Sequence, residues 1–129
     1  MDSHISSALA IYARSIADWR ESRYNDDLRD KRNLVSADGL REFAAYVQSV
    51  PADDPRLISL AHFCLRGQNF EPGQQVHYEI GRFRFFSPEA TIDGFLTLLV
   101  ELAEADSSER GQFGGPQITG DNPWEETDE

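Results

Sequence analysis

Apolar residues recur at helical spacing along the first part of the chain. Five of them follow one another at steps of four, three, four and three: Ile5, Leu9, Tyr12, Ile16 and Trp19. These steps place the side chains on one stripe of an α-helix. After Trp19 the sequence is charged on all sides, so we predict a first helix that either continues into solvent or breaks near Asn25.

The next apolar pattern predicts a second helix over residues 37–49. Its inner face is formed by four residues at helical spacing: Leu40, Phe43, Ala44 and Val47. Ser36 comes directly before this pattern, and serine is a favoured N-cap. We therefore expect the helix to begin immediately after Ser36.

A third helix is indicated by the pair Asp54 and Pro55. Aspartate is a favoured N-cap, and proline fits the first helical position, where its missing N–H leaves no bond unmade. The residues that follow are apolar nearly all round, and Gly67 is placed to stop the helix. We expect this helix to be the central and most buried one.

Residues 74–86 fit two different structures. In a short helix that stops at Gly81, Val76, Ile80 and Phe83 would share one face. The same segment also alternates apolar and polar residues, as two strands of a hairpin around Gly81 would. We favour the short helix, followed by an extended aromatic segment.

A last helix is predicted from Ser87 and Pro88, which suit an N-cap and a first helical position. Its outer face is acidic, with Asp93, Glu101 and Glu104. Its inner stripe consists of six apolar residues: Ile92, Phe95, Leu96, Leu99, Leu102 and Ala103.

The whole pattern predicts an all-α fold, a small bundle of four or five helices in one domain over residues 1–105, with the helix-or-hairpin segment at 74–86. Residues 106–129 are rich in glycine, serine, proline and acids, and too poor in apolar residues to pack, so we predict a disordered, flexible acidic tail. The longest apolar run, residues 95–100, is too short to span a bilayer. No secretion signal is visible at the start, so a cytoplasmic location is expected.

The negative charge of the chain is concentrated in its last third. Residues 87–129 carry eleven acids and one base, whereas residues 1–86 carry twelve acids and eleven bases. Together these give the net charge of −11. A separate acidic segment points to a basic partner surface, whereas a uniformly acidic shell mainly favours solubility.

No catalytic or metal-binding motif is present in the sequence. The three histidines, His4, His62 and His77, have no chelating spacing. Cys64 is the single cysteine and lies in an apolar run, which indicates a small buried hydrophobe. Neither a phosphate-binding loop nor a nucleophile elbow occurs. We therefore expect no enzyme, no cofactor and no metal site.

One local pattern is compatible with nucleic-acid binding. Residues 56–86 carry four arginines and two glutamates, and Arg82 and Arg84 alternate with phenylalanines, an arrangement that can stack bases. The simpler interpretation is that the phenylalanines belong to the core and the arginines are their solvent-facing neighbours. The acidity of the whole chain also opposes phosphates. Nucleic-acid contact through Arg82 and Arg84 is therefore the alternative hypothesis, and not the favoured one.

The end of the sequence carries the strongest functional signal. Trp124 follows a proline and is surrounded by acids, among them Glu125, Glu126 and Asp128. A tryptophan can fill a pocket on a partner while carboxylates contact its basic rim. Two other interpretations stay open: an inert solubilising tail, and a tail that folds back on the basic patch of residues 56–86 and masks it.

These patterns favour a non-enzymatic cytoplasmic interaction protein, such as an adaptor, an inhibitor, an antitoxin or an immunity-type regulator. Its partner would be a protein with a basic surface. The residues expected to bind that partner lie on the last helix and in the tail: Glu101, Glu104, Trp124, Glu125, Glu126 and Asp128. The stripe on the first helix suits either an intramolecular core or the seam of a homodimer. We expect no membrane contact.

Overall fold

Five α-helices and one short hairpin make up the described part of the chain. The structure, a computed structural model, describes residues 4–113, with side chains over residues 5–107. The elements are α1 His4–Asp26, α2 Arg32–Ser49, α3 Pro55–Cys64, β1 Leu65–Arg66, β2 Asn69–Phe70, α4 Gln74–Gly81 and α5 Ile92–Phe113. The prediction of a small all-α bundle is confirmed. None of these described helices is both long enough and apolar enough to cross a membrane.

The core forms around α1 and α2, which a short loop joins into an antiparallel pair. α1 buries seven apolar side chains, four of them alanines: Ile5, Ala8, Leu9, Ala10, Ala13, Ile16 and Ala17. Small side chains let a second helix approach closely. α2 fills the interface with larger residues, including Leu40, Phe43 and Val47. Burial of each of these stabilises the fold by about 1.5–3 kcal/mol.

α1 confirms its predicted stripe and ends at Asp26, close to the predicted break. Of the five stripe residues, Tyr12 and Trp19 are partly exposed and the others are buried. The stripe also continues one step beyond the apolar pattern, since Arg20, four residues after Ile16, is completely buried. A buried charge needs polar partners, so this position indicates a polar interaction inside the bundle.

α2 begins at Arg32 rather than after Ser36. The helix start is held by Asp30, whose carboxylate accepts a hydrogen bond from the Arg32 N–H at 3.2 Å. Ser36 lies within the helix, is buried, and has no hydrogen-bond partner for its hydroxyl among the described residues. The prediction that Ser36 is the N-cap is wrong, because an acid further upstream begins the helix.

α3 begins as predicted, but it is neither central nor stopped by Gly67. Asp54 caps it, accepting a hydrogen bond from the Arg56 N–H at 2.9 Å. The helix ends before the hairpin, and Gly67 lies in the hairpin turn with a φ of 64°, where glycine avoids a steric penalty. Because α1 and α2 occupy the centre, α3 is covered on one side only, and Ile58 on its other side is 56% exposed.

α4 is the short helix that the sequence favours, so the hairpin alternative for this segment is wrong. Its inner face buries Val76 and Ile80, as predicted. The chain then turns instead of extending, and Arg84 adopts a φ of 60° within this turn, which is uncommon for a residue other than glycine. Of the aromatic residues in the turn, two are buried and the third is 49% exposed: Phe83, Phe85 and Phe86.

α5 begins at Ile92, later than predicted. The Thr91 hydroxyl accepts a hydrogen bond from the Gly94 N–H at 3.1 Å, which makes Thr91 the N-cap. Ser87 and Pro88 lie in the turn region before the helix. Their predicted role as N-cap and first helical residue is therefore wrong.

The other end of α5 lies beyond the predicted domain boundary. The helix continues to Phe113, so residues 106–113, which the sequence assigns to the tail, are helical. Asp106, the first of these residues, is buried, and its carboxylate accepts hydrogen bonds from backbone N–H groups of α4. The rest of the predicted tail, residues 114–129, lies outside the described residues.

Candidate functional site

A groove lies between α4, the turn that follows it, and the first turns of α5. This α4–α5 groove has a volume of about 480 Å³. Its lining includes three charged residues, Glu79, Arg82 and Arg84, and four bulky aromatic or apolar ones: Tyr78, Phe86, Phe95 and Leu98. Phe86 is 49% exposed and Leu98 is 37% exposed. One wall is therefore apolar and open to solvent beside charged groups, a combination typical of binding surfaces.

Asp106 fixes α4, one wall of this groove, against α5. Its Oδ1 accepts a hydrogen bond from the Gln75 N–H and its Oδ2 from the Val76 N–H, both at 3.1 Å. These N–H groups lie in the first turn of α4, where the N-cap residue, Gly73, has no side chain to accept them. A Cβ at Gly73 would lie 2.5 Å from the Asp106 side chain. Asp106 is thus the cap of α4, supplied by a different helix.

Arg82 places a positive charge in the groove next to two aromatic rings. Its guanidinium carbon lies 4.5 Å from the ring centre of Tyr78 and 4.4 Å from that of Phe86, within cation–π range. It also donates a hydrogen bond to the Tyr78 hydroxyl. Since Arg82 is partly exposed, its charge can still attract a carboxylate that enters the groove.

Arg84 lines the same groove but is held more firmly by the protein. Its Nε donates to the Ala90 carbonyl at 2.9 Å, and its Nη1 donates to the Glu42 carboxylate at 3.1 Å. Its guanidinium also lies 5.1 Å from the ring centre of Phe83, which is buried. The structure therefore brings the two predicted nucleic-acid residues together, but the charge of Arg84 is already paired with Glu42.

A cluster of arginines and aromatic rings extends from the groove at Phe86 into the core at Arg20. The guanidinium of Arg32 lies 5.8 Å from the ring centre of Phe86 and 4.5 Å from that of Phe85. The guanidinium of Arg20 also contacts Phe85, at 4.1 Å from its ring centre, and lies 4.8 Å from that of Trp19. Sequence reasoning missed both arginines. The available signal is the four-residue step that places Arg20 on the inner stripe of α1.

Glu101 and Glu104 lie on the solvent side of α5. Both are exposed, and neither forms an ion pair with another residue whose side chain the structure describes. Leu98 lies one helical turn before Glu101, so the two side chains are neighbours on the surface. We call Leu98, Glu101 and Glu104 the α5 outer face.

Asp93, the third acid predicted for this surface, has a structural role instead. It accepts hydrogen bonds from the Tyr46 hydroxyl at 2.7 Å and from Arg56 Nη1 at 2.9 Å. Both bonds hold the pKa of Asp93 below its usual value, and the bond from Tyr46 contributes more than the bond from Arg56. Arg56 also pairs with Asp54 at 3.1 Å. The group joins α2, α3 and α5, so Asp93 belongs to the fold and not to the α5 outer face.

The other predicted partner-binding residues lie outside the described residues: Trp124, Glu125, Glu126 and Asp128. We call residues 121–129 the terminal segment. It contains five acids around one tryptophan. Trp124 comes eleven positions after Phe113, the last residue of α5.

The histidines and the cysteine form no metal site in the part of the chain that the structure describes, since no group of three suitable ligands occurs there. His77 is hydrogen-bonded through Nδ1 to the Tyr12 hydroxyl, and burial lowers the pKa of His77. Burial, with a smaller contribution from Cys64, raises the pKa of Tyr12 well above its usual value. The Tyr12–His77 contact joins α1 to α4.

The lowered pKa of His77 gives the fold a dependence on pH. The unfolded chain binds a proton at this imidazole more readily than the folded one, so acidification below about pH 6.5 stabilises the unfolded state relative to the folded state. Burial raises the pKa of Glu79, so the folded state binds a proton at this carboxyl more readily than the unfolded state. As pH falls, protonation of Glu79 therefore stabilises the folded state, opposite to the effect of His77. We therefore expect the urea midpoint of the unmodified chain to fall more than that of His77→Gln between pH 7.5 and 5.5. Equal changes in the two proteins would contradict this assignment, because both retain Glu79.

Comparison with known proteins adds no relative: no protein-family model, no curated protein and no solved structure matches this chain. Fold analogy therefore supplies no function. The features that bear on function are the α4–α5 groove, the α5 outer face and the charges around them.

Proposed function

We propose that the chain is a non-enzymatic interaction protein that binds a partner with a basic surface. The contacts would be made by Glu101 and Glu104 on the α5 outer face and by the terminal segment, through Trp124, Glu125, Glu126 and Asp128. An adaptor, an inhibitor, an antitoxin or an immunity-type regulator acts in this way. The observation that carries the proposal is that Glu101 and Glu104 are exposed without a described ion-pair partner.

The arginines of the folded body contrast with these two acids. Arg41 pairs with Asp18 at 2.9 Å and with Glu21 at 2.7 Å. Arg84 pairs with Glu42 at 3.1 Å. Much of the positive charge is therefore balanced inside the molecule, whereas the acids of the α5 outer face can meet cations from outside. Such a surface attracts a basic partner and increases its association rate.

Leu98 adds an apolar contact to the acids of the α5 outer face. It is 37% exposed, it lines the groove together with Phe86, and it lies one helical turn before Glu101. Protein interfaces combine an apolar centre with a charged rim. The α5 outer face and the adjoining groove wall have this composition on a small scale, and the tryptophan of the terminal segment would add the kind of anchor that dominates binding energy.

Nucleic-acid binding through Arg82 and Arg84 is supported less well. Arg84 donates to Ala90 and Glu42, and Arg82 donates to Tyr78. The phenylalanines between them are mostly buried, and only Phe86 offers a partly exposed ring for stacking. The net charge of −11 would also repel phosphates.

Affinity capture from a lysate of the source cells tests the proposal. The baits are the full chain, a Glu101→Gln/Glu104→Gln variant and Trp124→Ala. A genuine partner should bind the charge variant about three- to tenfold more weakly at low salt, as expected for two ion pairs at the edge of an interface. Quantitative mass spectrometry followed by titration of the recovered protein measures the difference.

The matched control is Asp38→Asn/Asp53→Asn, which changes the net charge equally. Both aspartates are exposed and form no ion pair with a described side chain. Equal recovery of every protein by the control, by the charge variant and by Trp124→Ala would refute the proposal. Recovery of nucleic acid that depends on Arg82 would favour the alternative function.

A further inference from the structure

The α4–α5 groove is large enough to hold one bulky side chain with its neighbours. Its volume of about 480 Å³ lies within the range of ligand-binding pockets, roughly 300–1,000 Å³. Phe95 is buried beneath it, while Phe86 and Leu98 present partly exposed apolar surface. These aromatic and aliphatic groups would favour a flat apolar ligand, and an aromatic ring would pack well against Phe86.

The charges around the groove favour particular residues on either side of such an aromatic residue in a bound segment. Arg82 and Arg84 line the groove together with one acid, Glu79, and Arg84 is paired with Glu42, so Arg82 is the cation that can meet a ligand in the groove. An aromatic residue flanked by carboxylates would therefore fit both the apolar wall and Arg82. The terminal segment has this composition, with Trp124 among five acids.

The chain is long enough for the terminal segment to reach the groove. From Leu98, in the groove wall, α5 runs fifteen positions to Phe113, which corresponds to about 22 Å along the helix axis. The eleven residues from Phe113 to Trp124 can span up to about 36 Å when extended. Since the reach exceeds the distance, the segment can return along α5 without strain.

We propose that the terminal segment docks in the α4–α5 groove of its own chain, with the Trp124 indole between Phe86 and Leu98. The carboxylates beside it, such as Glu125 and Glu126, then face Arg82. Because the segment is tethered, its effective concentration at the groove is on the order of millimolar. Even a weak contact is then occupied for much of the time.

Docking regulates the surface described under the proposed function, and this consequence rests on that proposal. In the docked form Trp124 contacts the groove and is withheld from a partner. The docked segment also lies beside Leu98, next to Glu101 on the α5 outer face. A basic partner must therefore displace the terminal segment before it can bind both parts of the surface. Displacement requires a partner that attracts the carboxylates more strongly than Arg82 attracts them.

The test uses the full chain labelled with 5-fluorotryptophan, which gives one ¹⁹F resonance for each of its two tryptophans. Trp124→Phe identifies the resonance of Trp124. We expect this resonance to differ from that of a labelled free peptide of residues 116–129. Phe86→Ser and, separately, Leu98→Gln should move it most of the way to the free-peptide position. Arg82→Gln should move it in the same direction, and Glu79→Gln should move it further from the free-peptide position.

The control is Ile58→Gln, which changes an exposed apolar residue on α3, a helix that does not line the groove. It should leave the Trp124 resonance unchanged. Coincidence of the Trp124 resonance with that of the free peptide in the unmodified chain would overturn the proposal. So would a resonance that depends on protein concentration, because the groove would then be filled by a second copy.

The two proposals can fail independently. If Trp124 is undocked but a basic protein is still captured through Glu101 and Glu104, self-docking is wrong and the interaction function stands. If Trp124 is docked and no protein is captured even by the Phe86→Ser variant, in which the segment is released, the interaction function is wrong and the groove assignment stands. Melting temperatures of the Phe86 and Leu98 variants show whether each is folded, and either variant alone is sufficient for the test.

Discussion

Replacement of Arg20 by methionine is expected to lower the free energy of unfolding by about 3–5 kcal/mol, the largest effect of any single substitution considered for this protein. The guanidinium is completely buried. Its Nε and Nη2 both donate to the Gly81 carbonyl, at 2.9 and 2.8 Å, and its Nη1 donates to the Asn33 amide oxygen at 2.9 Å. Methionine fills much of the volume but leaves both acceptors without these donors.

The geometry explains why the charge is tolerated in the core. One side chain of α1 joins the last carbonyl of α4 to a buried side chain of α2, and it stacks on Phe85 at 4.1 Å. The positive charge also contributes to lowering the pKa of Asp30, whose main cause is the hydrogen bond from Arg32. Loss of Arg20 therefore loosens three helices at once.

Urea denaturation followed by circular dichroism measures the effect. Arg20→Lys keeps the charge but lacks the planar fork that bonds Gly81 twice, so it should recover less than half of the lost stability. Arg29→Met is the control, because Arg29 is 92% exposed and should show no measurable change. A midpoint for Arg20→Met close to that of the unmodified chain would show that the buried network is not needed for stability.

Local sequence patterns were sufficient for the helices themselves. The spacing of Ile5, Leu9 and Ile16 predicts α1, and the pair Asp54 and Pro55 predicts the start of α3 because both act within one turn. The helical period of Val76 and Ile80 likewise predicts α4. These signals involve residues close together in sequence, so they need no knowledge of the tertiary fold.

The errors occur where a residue distant in sequence, or a competing local cap, decides the structure. Ser36 and Ser87 are chemically good caps, but α2 begins earlier, where Asp30 bonds the Arg32 N–H, and Thr91 caps α5. The prediction that α3 is the most buried helix is wrong. Composition shows that a helix is apolar, but it does not show which neighbours cover that helix. Ile58 is exposed since α1 and α2 already fill the centre.

The candidate site follows the same division. The sequence identifies Arg82, Arg84 and the acids of the last helix as unusual, and the structure places the arginines in one groove and Glu101 and Glu104 on an exposed face. The sequence does not show which of these charged residues form ion pairs in the fold. Arg84 bonds Glu42 from another helix, whereas no described side chain pairs with Glu101. Such pairing depends on tertiary contacts between distant positions.

Asp106 is the residue whose role differs most from its prediction, and its removal should have the second-largest effect. Asp106→Ala is expected to lower the free energy of unfolding by about 2–3 kcal/mol, since it removes the acceptors of two backbone N–H groups in the first turn of α4. α4 has only eight residues, so it depends strongly on this cap and on packing. The amides of Gln75 and Val76 should lose their protection from hydrogen exchange.

The comparison with two further variants separates capping from charge. Asp106→Asn keeps one oxygen acceptor and should retain roughly half of the stabilisation, whereas Glu104→Ala, on the exposed side of the same helix, should leave both stability and exchange unchanged. If the Gln75 and Val76 amides exchanged at the same rate in Asp106→Ala as in the unmodified chain, Asp106 would not be the cap that protects the first turn of α4.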